Sequence, residues 1–227
     1  MLCAEWCFTL TLTLSREGRG KYSARDAYCA SSLPPAGGEG KMLGADLSDF
    51  SLAPCGRGWG CGEEMHEPLK IEINLTTQTL TLRDATAVIG QYAVSTARNG
   101  PGEREHSECT PRGPHLIAAK IGAQAAPNTV FVGRRPTGEV YSAAFAATQP
   151  ADRDWIVTRI LWLAGCTPGY NQGDGCDTHA RYIYIHGTPD ETVLGVPGSR
   201  GCIRMRNADV IELFAQVDIG TPVFITE

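Results

Sequence analysis

Every valine and isoleucine of this 227-residue chain lies beyond residue 64. β-Branched side chains fit the pleated surface of a sheet, and a segment without them has little from which to build a core. The first 64 residues are instead rich in glycine, proline and small polar residues. We therefore predict that residues 1–66 form a low-complexity, disordered extension. Residues 67–227 are long enough to bury a core and are predicted to fold as a domain.

The beginning of the chain has two further features. Its phrases LTLTLSREGRG, LPPAGGEG and SLAPCGRGWG resemble conceptual translations of intergenic repeat DNA, so we expect the native protein to start at Met65. Residues 1–14 also make a poor secretory signal, because Glu5 stands where a positive charge is expected and threonines interrupt the apolar part. This segment therefore provides no convincing signal peptide.

Two motifs near the start have the residue types of ligand sites but not their spacing. Residues 38–41 (GEGK) lack the full length of a phosphate loop and the Ser or Thr that follows its lysine. Cys55, Cys61 and His66 are zinc-ligand types, yet five residues separate the two cysteines and no second pair follows. We predict no metal and no organic cofactor.

Beyond residue 67 the apolar residues repeat with the period of β-strands. Ile71, Ile73 and Leu75 alternate with polar residues, and Leu80 and Leu82 alternate with threonines, which predicts a half-buried hairpin. Further strands are predicted at residues 88–96, 116–121, 130–132 and 182–185. The sequence therefore predicts a mainly β domain.

Two segments have the pattern of amphipathic helices. In residues 152–164, acidic residues precede an apolar stripe, which suits the positive end of a helix dipole. The stripe consists of Trp155, Ile156, Ile160, Leu161 and Leu163. A second helix is predicted to begin with Asn207 as its N-cap. Its expected core-facing residues are Val210, Ile211, Phe214 and Val217.

The charge of the chain argues against nucleic acid as a partner. The net charge is −5 at pH 7 and the pI is about 5.6. Phosphate binding needs a basic face, and the sequence has no run of lysine or arginine. No apolar run approaches the ~18 residues of a membrane span, so no transmembrane segment is predicted.

One stretch combines a histidine and a cysteine in a setting suited to chemistry. His186 follows the predicted strand at 182–185, and Cys202 closes a loop rich in glycine and proline. A thiol attacks as its thiolate and needs a base, for which His186 is the candidate. Gly201 lets a substrate carbonyl approach the backbone N–H groups, and Arg200 adds positive charge. The alternative is that Cys202 is a small buried hydrophobe.

The same stretch resembles a family signature. HGT at 186–188, followed by S-x-G-C-I-R-M at 199–205, is similar to the signature of the L,D-transpeptidases, also called the YkuD or ErfK/YbiS/YnhG domain. The resemblance covers roughly residues 67–227 and implies a β-sandwich-like fold with two helices packed on a curved sheet. It includes the opening hairpin, VST at 94–96, TPRG at 110–113 and a closing strand at 220–223.

The resemblance implies roles for individual residues. In that family the cysteine attacks a peptide stem of the bacterial cell wall, the first histidine is the base, and the next residue orients the imidazole. These positions are Cys202, His186 and Gly187. The family usually has S-H-G-C, and here Arg200 replaces the second histidine. The expected oxyanion donors are the backbone N–H groups of Arg200, Gly201 and Cys202. The expected substrate contacts are Ser199, Arg204, Thr188 and Asn171.

Several functions are compatible with this resemblance. It implies a monomer that acts in the cell envelope or periplasm on peptidoglycan stem tetrapeptides, releasing D-alanine to leave an acyl-enzyme. A stem amine as acceptor gives a 3-3 crosslink, a lysine gives protein anchoring, and water gives L,D-carboxypeptidase activity. The alternative from another class is a non-catalytic peptidoglycan-binding module. A catalytic Cys202 is expected to have a thiol pKa below ~8.5.

Other residues between 97 and 180 carry weaker expectations. The loop at 97–114 borders the substrate groove by resemblance, and the glycine-rich segment at 165–180 is expected to form a lid or a wall. Arg134 is predicted to be solvated together with Arg135 rather than to meet a substrate carboxylate. His179 is the rival of His186 as base. A disulfide between Cys166 and Cys176 is an open alternative, since spacing alone does not pair cysteines.

Overall fold

The computed structural model describes residues 69–227. The predictions made for residues 1–66 therefore lie outside the described residues. They concern the disordered extension, the start at Met65, the signal peptide, the phosphate-loop-like GEGK segment and the zinc-ligand types at Cys55, Cys61 and His66.

Ten strands and two helices make up the described part of the chain, which confirms the mainly β class. They are β1 (Lys70–Asn74), β2 (Thr79–Arg83), β3 (Val88–Ala93), β4 (Gly113–Ile121), β5 (Thr129–Val132), β6 (Arg135–Val140), α1 (Ala143–Ala146), β7 (Ile156–Gly165), β8 (Tyr184–Thr188), β9 (Ile203–Arg206), α2 (Asn207–Gln216) and β10 (Pro222–Thr226). Eight strands follow one another in the order β3-β2-β1-β10-β4-β7-β5-β6, and β8 joins β7 to β9.

The predicted opening hairpin is confirmed. β1 and β2 run antiparallel, with Ile71 opposite Leu82 and Ile73 opposite Leu80. All four side chains are fully buried, while the residues between them are half-buried. A slip of one residue would turn all four to the other face, and each would forfeit roughly 1.5–3 kcal/mol of burial free energy. The alternating pattern therefore fixes the register.

The chain after β3 leaves the hairpin and runs towards β9. The strand ends at Ala93, three residues before the predicted end, and Ser95 then forms an isolated antiparallel bridge with Arg204. The buried side chain of Gln78 holds this segment, because its Oε1 accepts from the N–H of Thr96 at 2.8 Å. Residues 94–98 are thereby fixed where they contact the candidate site.

The predicted helix at residues 152–164 is wrong, because most of this segment forms β7. Thr158 has a φ of +71°, and the pairing register shifts between Val157 and Ile160. This irregularity leaves Val157, Ile160 and Leu161 fully buried, so the apolar spacing imitates that of a helix. Four of the first five residues of β7 are β-branched, and β4, β5 and β8 all pair with it. Pairing and propensity together favour the strand.

The second predicted helix is confirmed as α2. Its buried apolar residues are Val210, Leu213 and Phe214. Asn207 is not its N-cap, because Arg206 holds that position and makes no side-chain capping hydrogen bond. The Asn207 side chain turns inward instead, donating to Oδ1 of Asn128 at 2.8 Å and accepting from Oγ1 of Thr158 at 2.5 Å. This amide therefore ties α2 to the irregular start of β7.

Sequence reasoning missed β6 and α1. β6 is almost entirely exposed at the edge of the sheet and has no apolar alternation. α1 is a single turn whose N-cap, Ser142, accepts from the N–H of Phe145 at 3.2 Å. Neither helix of residues 69–227 has the length and apolar character that a membrane crossing requires.

His115 in β4 makes folding sensitive to acid. Its ring is buried, with Nδ1 2.9 Å from the Gly113 carbonyl oxygen and Nε2 3.1 Å from Thr178 Oγ1. Burial lowers the pKa of His115 from 6.5 to about 4. Between these values the unfolded state binds more protons than the folded state, so stability present at pH 7 is lost as the pH falls. The loss from this residue is on the order of 3 kcal/mol.

We expect the free energy of unfolding, measured by urea titration, to fall more steeply from pH 7 to pH 4 in the native chain than in His115→Gln. Burial also lowers the pKa of His186, so the difference between the two proteins isolates the contribution of His115. A difference that stays constant over this pH range would contradict the assignment.

Candidate active site

His186 lies in β8, and Cys202 lies in the bend just before β9, the parallel neighbour of β8. β8 pairs with β9, and Ile185 lies opposite Ile203 while His186 lies opposite Arg204. Cys202 packs on the cluster that contains the Tyr184 ring, and Tyr184 and His186 share a face of β8 because they are two residues apart. The thiol and the imidazole therefore lie on the same side of β8, although no hydrogen bond joins them within residues 69–227.

The imidazole of His186 is held in one tautomer. The residue is fully buried, and Nδ1 lies 2.8 Å from the carbonyl oxygen of Gly187. A carbonyl only accepts, so Nδ1 carries the proton and Nε2 keeps its lone pair. Nε2 is buried and has no hydrogen-bond partner among residues 69–227. Burial lowers the pKa of His186, which keeps the ring neutral and able to accept a proton.

Gly187 has no room for a side chain. A Cβ there would lie 2.6 Å from the Val157 carbonyl oxygen and 2.7 Å from Oδ1 of Asn207. Val157 pairs with Gly187 across β7 and β8, and the Asn207 amide is held by Thr158. The irregular part of β7 and the first residue of α2 therefore occupy the space beside Gly187, next to His186.

The surroundings of Cys202 favour the protonated thiol. Its Sγ donates to the carbonyl oxygen of Tyr182 at 3.4 Å. Burial raises the pKa of Cys202 to about 12, although the N–H of Tyr184 faces the sulfur and favours the thiolate. The residue as a whole is half-buried. The expected thiol pKa below ~8.5 is therefore not what this environment produces.

An ion pair that sequence reasoning missed lies beside both groups. Arg204 binds Asp154, with Nη2 and Oδ1 2.6 Å apart, and donates from Nη1 to the Gly198 carbonyl at 3.2 Å. Burial dominates the pKa of both His186 and Cys202, and the Asp154 carboxylate raises both while Arg204 lowers both. No sequence signal marked Asp154, because it was assigned to the start of a helix.

The side chain of Ser199 locks the turn that presents Cys202. Its Oγ donates to the Cys202 carbonyl at 2.6 Å and accepts from the N–H of Gly201 at 3.1 Å. The Gly201 N–H is therefore occupied, which removes it from the three expected oxyanion donors. The N–H groups of Arg200 and Cys202 make no turn or loop hydrogen bond within residues 69–227. They are the remaining candidates.

Gly201 is required by backbone conformation. Its φ of +128° lies in the region that favours glycine, and a Cβ would lie 3.1 Å from Cδ1 of Ile183 and 3.3 Å from the Cys109 carbonyl oxygen. The loop at 97–114 supplies this neighbour. Thr110 in the same loop donates from Oγ1 to the Gly201 carbonyl at 2.9 Å. The loop therefore supports the cysteine turn, which the family resemblance anticipated only as a border of the groove.

Arg181 fixes that loop from the other side. It donates to the carbonyl oxygens of Gly102 at 3.1 Å, Glu103 at 2.7 Å and Cys109 at 2.7 Å. A further bond reaches Oγ of Ser107 at 3.3 Å. Burial lowers the pKa of Arg181. Sequence reasoning missed this residue, since its partners are backbone groups far away along the chain.

The other expected site residues fall into two groups. Asn171 and Thr188 are buried, as is Ser199. The Asn171 amide donates to the backbone of the β4 strand, to Pro114 at 3.0 Å, and Oγ1 of Thr188 lies 3.0 Å from Oγ1 of Thr192. These polar groups are engaged within the fold, and the substrate contacts expected there stay predictions. Arg200, in contrast, is exposed and forms no ion pair within residues 69–227.

The region beside the thiol also contains an aromatic wall. His179 stacks on Trp162, with ring centroids 3.8 Å apart, which places the rival base against an indole. The guanidinium of Arg134 is 4.6 Å from the ring centroids of Trp162 and Tyr182. Arg134 is half-buried and Arg135 is exposed, so the predicted solvated pair is wrong for Arg134. The wall is defined here as Arg134, Trp162, His179, Tyr182 and Tyr184.

Cys166 and Cys176 are not joined by a disulfide, so the bridge left open from the sequence is absent. Within residues 69–227, no cluster of three or more His, Cys, Asp or Glu side chains is placed to hold a metal ion.

The family model and the similar proteins of known sequence all point to the same family. The family model for the L,D-transpeptidase catalytic domain, YkuD, matches residues 68–225. The chain is 30% identical over 112 residues to the putative L,D-transpeptidase YkuD of Bacillus subtilis, which covers 49% of this chain and 66% of that protein. It is 44% identical over 54 residues to the putative L,D-transpeptidase YqjB of Bacillus subtilis, which covers 24% and 31%. The chain thus spans less than two thirds of these relatives.

Solved structures of similar proteins include L,D-transpeptidase 3 from Mycobacterium tuberculosis in complex with a faropenem-derived adduct. It is 17% identical with a TM-score of 0.44, and the match covers 70% of this chain and 60% of that chain. An L,D-transpeptidase from Mycobacterium smegmatis is 15% identical with a TM-score of 0.42, over 70% and 59% of the two chains.

We expect Gly187→Ala to destabilise the fold and displace the His186 ring. The new methyl overlaps two fixed oxygens, and accommodating it costs about 1–3 kcal/mol. The measurements are the free energy of unfolding and the His186 imidazole resonances in NMR spectra. Gly198→Ala is the matched control, because a Cβ there meets only Oγ of Ser95, at 3.1 Å. Equal effects of the two substitutions would contradict the steric argument.

We expect Cys202 in the substrate-free protein to alkylate slowly at neutral pH, with a rate that still rises above pH ~8.5. The reason is that burial favours the neutral thiol. The measurement is the iodoacetamide rate at Cys202 against pH, mapped by peptide mass spectrometry, with Cys202→Ser confirming the assignment of the adduct. A plateau below pH ~8.5 would instead show a thiolate–imidazolium pair.

Proposed function

Because the chain belongs to the L,D-transpeptidase catalytic domain family, we propose that it is a cysteine acyltransferase that acts on the peptide stems of peptidoglycan. Cys202 is the nucleophile and His186 the base. The observation that carries this proposal is the unpartnered, buried Nε2 of His186, on the side of β8 where Cys202 packs against Tyr184. A buried acceptor without a donor costs free energy, and a proton from the thiol would satisfy it.

In the proposed reaction, Nε2 of His186 takes the Cys202 proton as Sγ attacks the carbonyl carbon of the L-to-D bond after the third stem residue. The carbonyl oxygen becomes an oxyanion, which the N–H groups of Cys202 and Arg200 stabilise. When the tetrahedral intermediate collapses, the C–N bond breaks and His186 returns the proton to the amine of D-alanine. The product is a thioester on Cys202.

Proton transfer is coupled to substrate binding in this scheme. Burial lowers the pKa of His186 and raises that of Cys202 to about 12, so neither charged form is favoured in the free site. A substrate carbonyl held by oxyanion donors gives the negative charge a stabilised place once the C–S bond forms. The free protein therefore keeps an unreactive thiol until an acyl donor is bound.

The acceptor completes the reaction. A stem-peptide amine that attacks the thioester gives a 3-3 crosslink and frees Cys202, whereas a protein lysine gives anchoring and water gives a tripeptide. Arg200 is exposed, and its place in the turn needs only backbone groups, which favours catalysis over the alternative of a module that merely binds peptidoglycan.

The location follows from the proposed substrate. Because peptidoglycan lies outside the cytoplasm, we propose that the protein acts in the cell envelope, as a monomer.

The proposal predicts that the full chain, incubated with a disaccharide tetrapeptide, releases D-alanine and forms crosslinked dimer. Cys202→Ala should lower this rate by at least about 1,000-fold, since it removes the nucleophile. The measurement is product analysis by mass spectrometry, with an acyl-enzyme adduct mapped to Cys202. Cys176→Ala is the matched control and should retain activity.

The outcomes separate the alternatives. Tripeptide without dimer assigns water as the acceptor and makes the protein an L,D-carboxypeptidase. A folded protein that retains the ligand but yields neither product is a binding module. Full turnover by Cys202→Ala would refute the cysteine mechanism.

A further inference from the structure

Arg134 is held rigidly by aromatic side chains. Its guanidinium is 4.6 Å from the ring centroids of Trp162 and of Tyr182. Its Nη1 also donates to the phenol oxygen of Tyr184 at 3.0 Å. Two rings and one hydrogen bond hold the cation in position, so little conformational entropy remains to be lost when a ligand binds.

This cation has no acidic partner within residues 69–227, since none of the ion pairs there includes Arg134. A guanidinium has five N–H donors, and the phenol of Tyr184 takes one. Because Arg134 is only half-buried, its other donors are open to a ligand. A fixed fork of N–H donors suits the two oxygens of a carboxylate.

The residues that hold Arg134 also contact the nucleophile. The carbonyl of Tyr182 accepts from Sγ of Cys202, and the backbone N–H of Tyr184 faces the same sulfur. Cys202 packs on the apolar cluster that contains the Tyr184 ring. The aromatic wall therefore contacts both the thiol of Cys202 and the guanidinium of Arg134.

The other cations around Cys202 are less suited to binding an anion. Arg204 is paired with Asp154 at 2.6 Å. Arg181 spends its donors on three backbone carbonyls and a hydroxyl. Arg200 is exposed and no aromatic contact holds it within residues 69–227. Arg134 alone among these four combines a fixed position with open donors.

We propose that Arg134, fixed by Trp162, Tyr182 and Tyr184, binds a carboxylate of the peptide substrate and makes the site selective for anionic acyl donors. The inference rests on the proposed function for the identity of the substrate. A tetrapeptide cleaved after its third residue ends one residue beyond the scissile bond, about 3.5 Å along an extended chain. Its terminal carboxylate, or an internal stem carboxylate, is the anion that the cation meets.

The test measures equilibrium binding to Cys202→Ala, with and without Arg134→Gln. The ligands are the stem tetrapeptide, the same peptide with a C-terminal carboxamide, and the same peptide with its internal carboxylate amidated. We expect Arg134→Gln to weaken binding of the unmodified peptide by about tenfold or more. The peptide that lacks the recognised carboxylate should bind equally to both proteins. The amidation that makes binding independent of Arg134 identifies the carboxylate that Arg134 binds.

Matched variants keep the result interpretable. Arg135→Gln removes an exposed neighbouring charge and should leave binding of all three peptides unchanged, and thermal unfolding shows whether Arg134→Gln preserves the fold. If Arg134→Gln weakens all three peptides equally, or weakens none, the proposal is overturned and Arg134 only packs the wall. If the double variant does not fold, Arg134→Lys replaces Arg134→Gln in the test. Lysine keeps the positive charge but lacks the paired N–H donors of the guanidinium. It should therefore weaken binding by an intermediate amount, and only for the peptide whose carboxylate is recognised.

The binding measurement needs no turnover, so the two proposals can fail separately. If binding to Cys202→Ala depends on Arg134 but the native chain forms no product, transpeptidation is refuted and the carboxylate site is retained. If the native chain turns over the tetrapeptide but Arg134→Gln leaves binding unchanged, only the proposed carboxylate site is refuted. If Cys202→Ala binds none of the peptides, the carboxylate site is refuted.

Discussion

The parallel pairing of β8 with β9 is the contact on which the site depends. Parallel neighbours cannot be joined by a tight turn and need a long connection. Here residues 189–202 make that connection and contain no helix or strand. Hydrogen bonds fix it to the segment after β3, from the N–H of Gly198 to the Thr96 carbonyl at 2.8 Å and from the N–H of Arg98 to the Ser199 carbonyl at 3.0 Å. The loop therefore delivers Cys202 to β9 in one register, on the face that carries His186.

Burial sets the electrostatic state of the two reactive groups. It disfavours the charged form of each, lowering the pKa of His186 and raising that of Cys202 to about 12. The nearest charges do not reverse this, because Asp154 and Arg204 neutralise each other at 2.6 Å. A thiol kept neutral is protected from oxidation and stray alkylation, which require the thiolate. In the proposed mechanism, the same burial makes proton transfer from Cys202 to His186 depend on a bound substrate carbonyl that takes up the negative charge.

The sequence was sufficient for the strands with regular alternation, and it failed where backbone geometry overrides pattern. The hairpin of Ile71 and Leu82 repeats every two residues and was predicted correctly. β7 was mistaken for a helix because a residue at positive φ, Thr158, shifts its alternation. Asp154 was missed and the surroundings of Arg134 were predicted wrongly, since their contacts join segments far apart in the chain, with Arg204 and with Tyr184.

The signature around Cys202 separates into chemical and structural positions. Gly187 is glycine because β7 and Asn207 leave no space for a Cβ, and Gly201 because its φ is +128°. Ser199 is needed for the two hydrogen bonds that close the turn. Between them, position 200 has an exposed side chain. The two hydrogen bonds that close the turn come from Ser199, so they do not depend on whether the exposed side chain at position 200 is arginine or histidine.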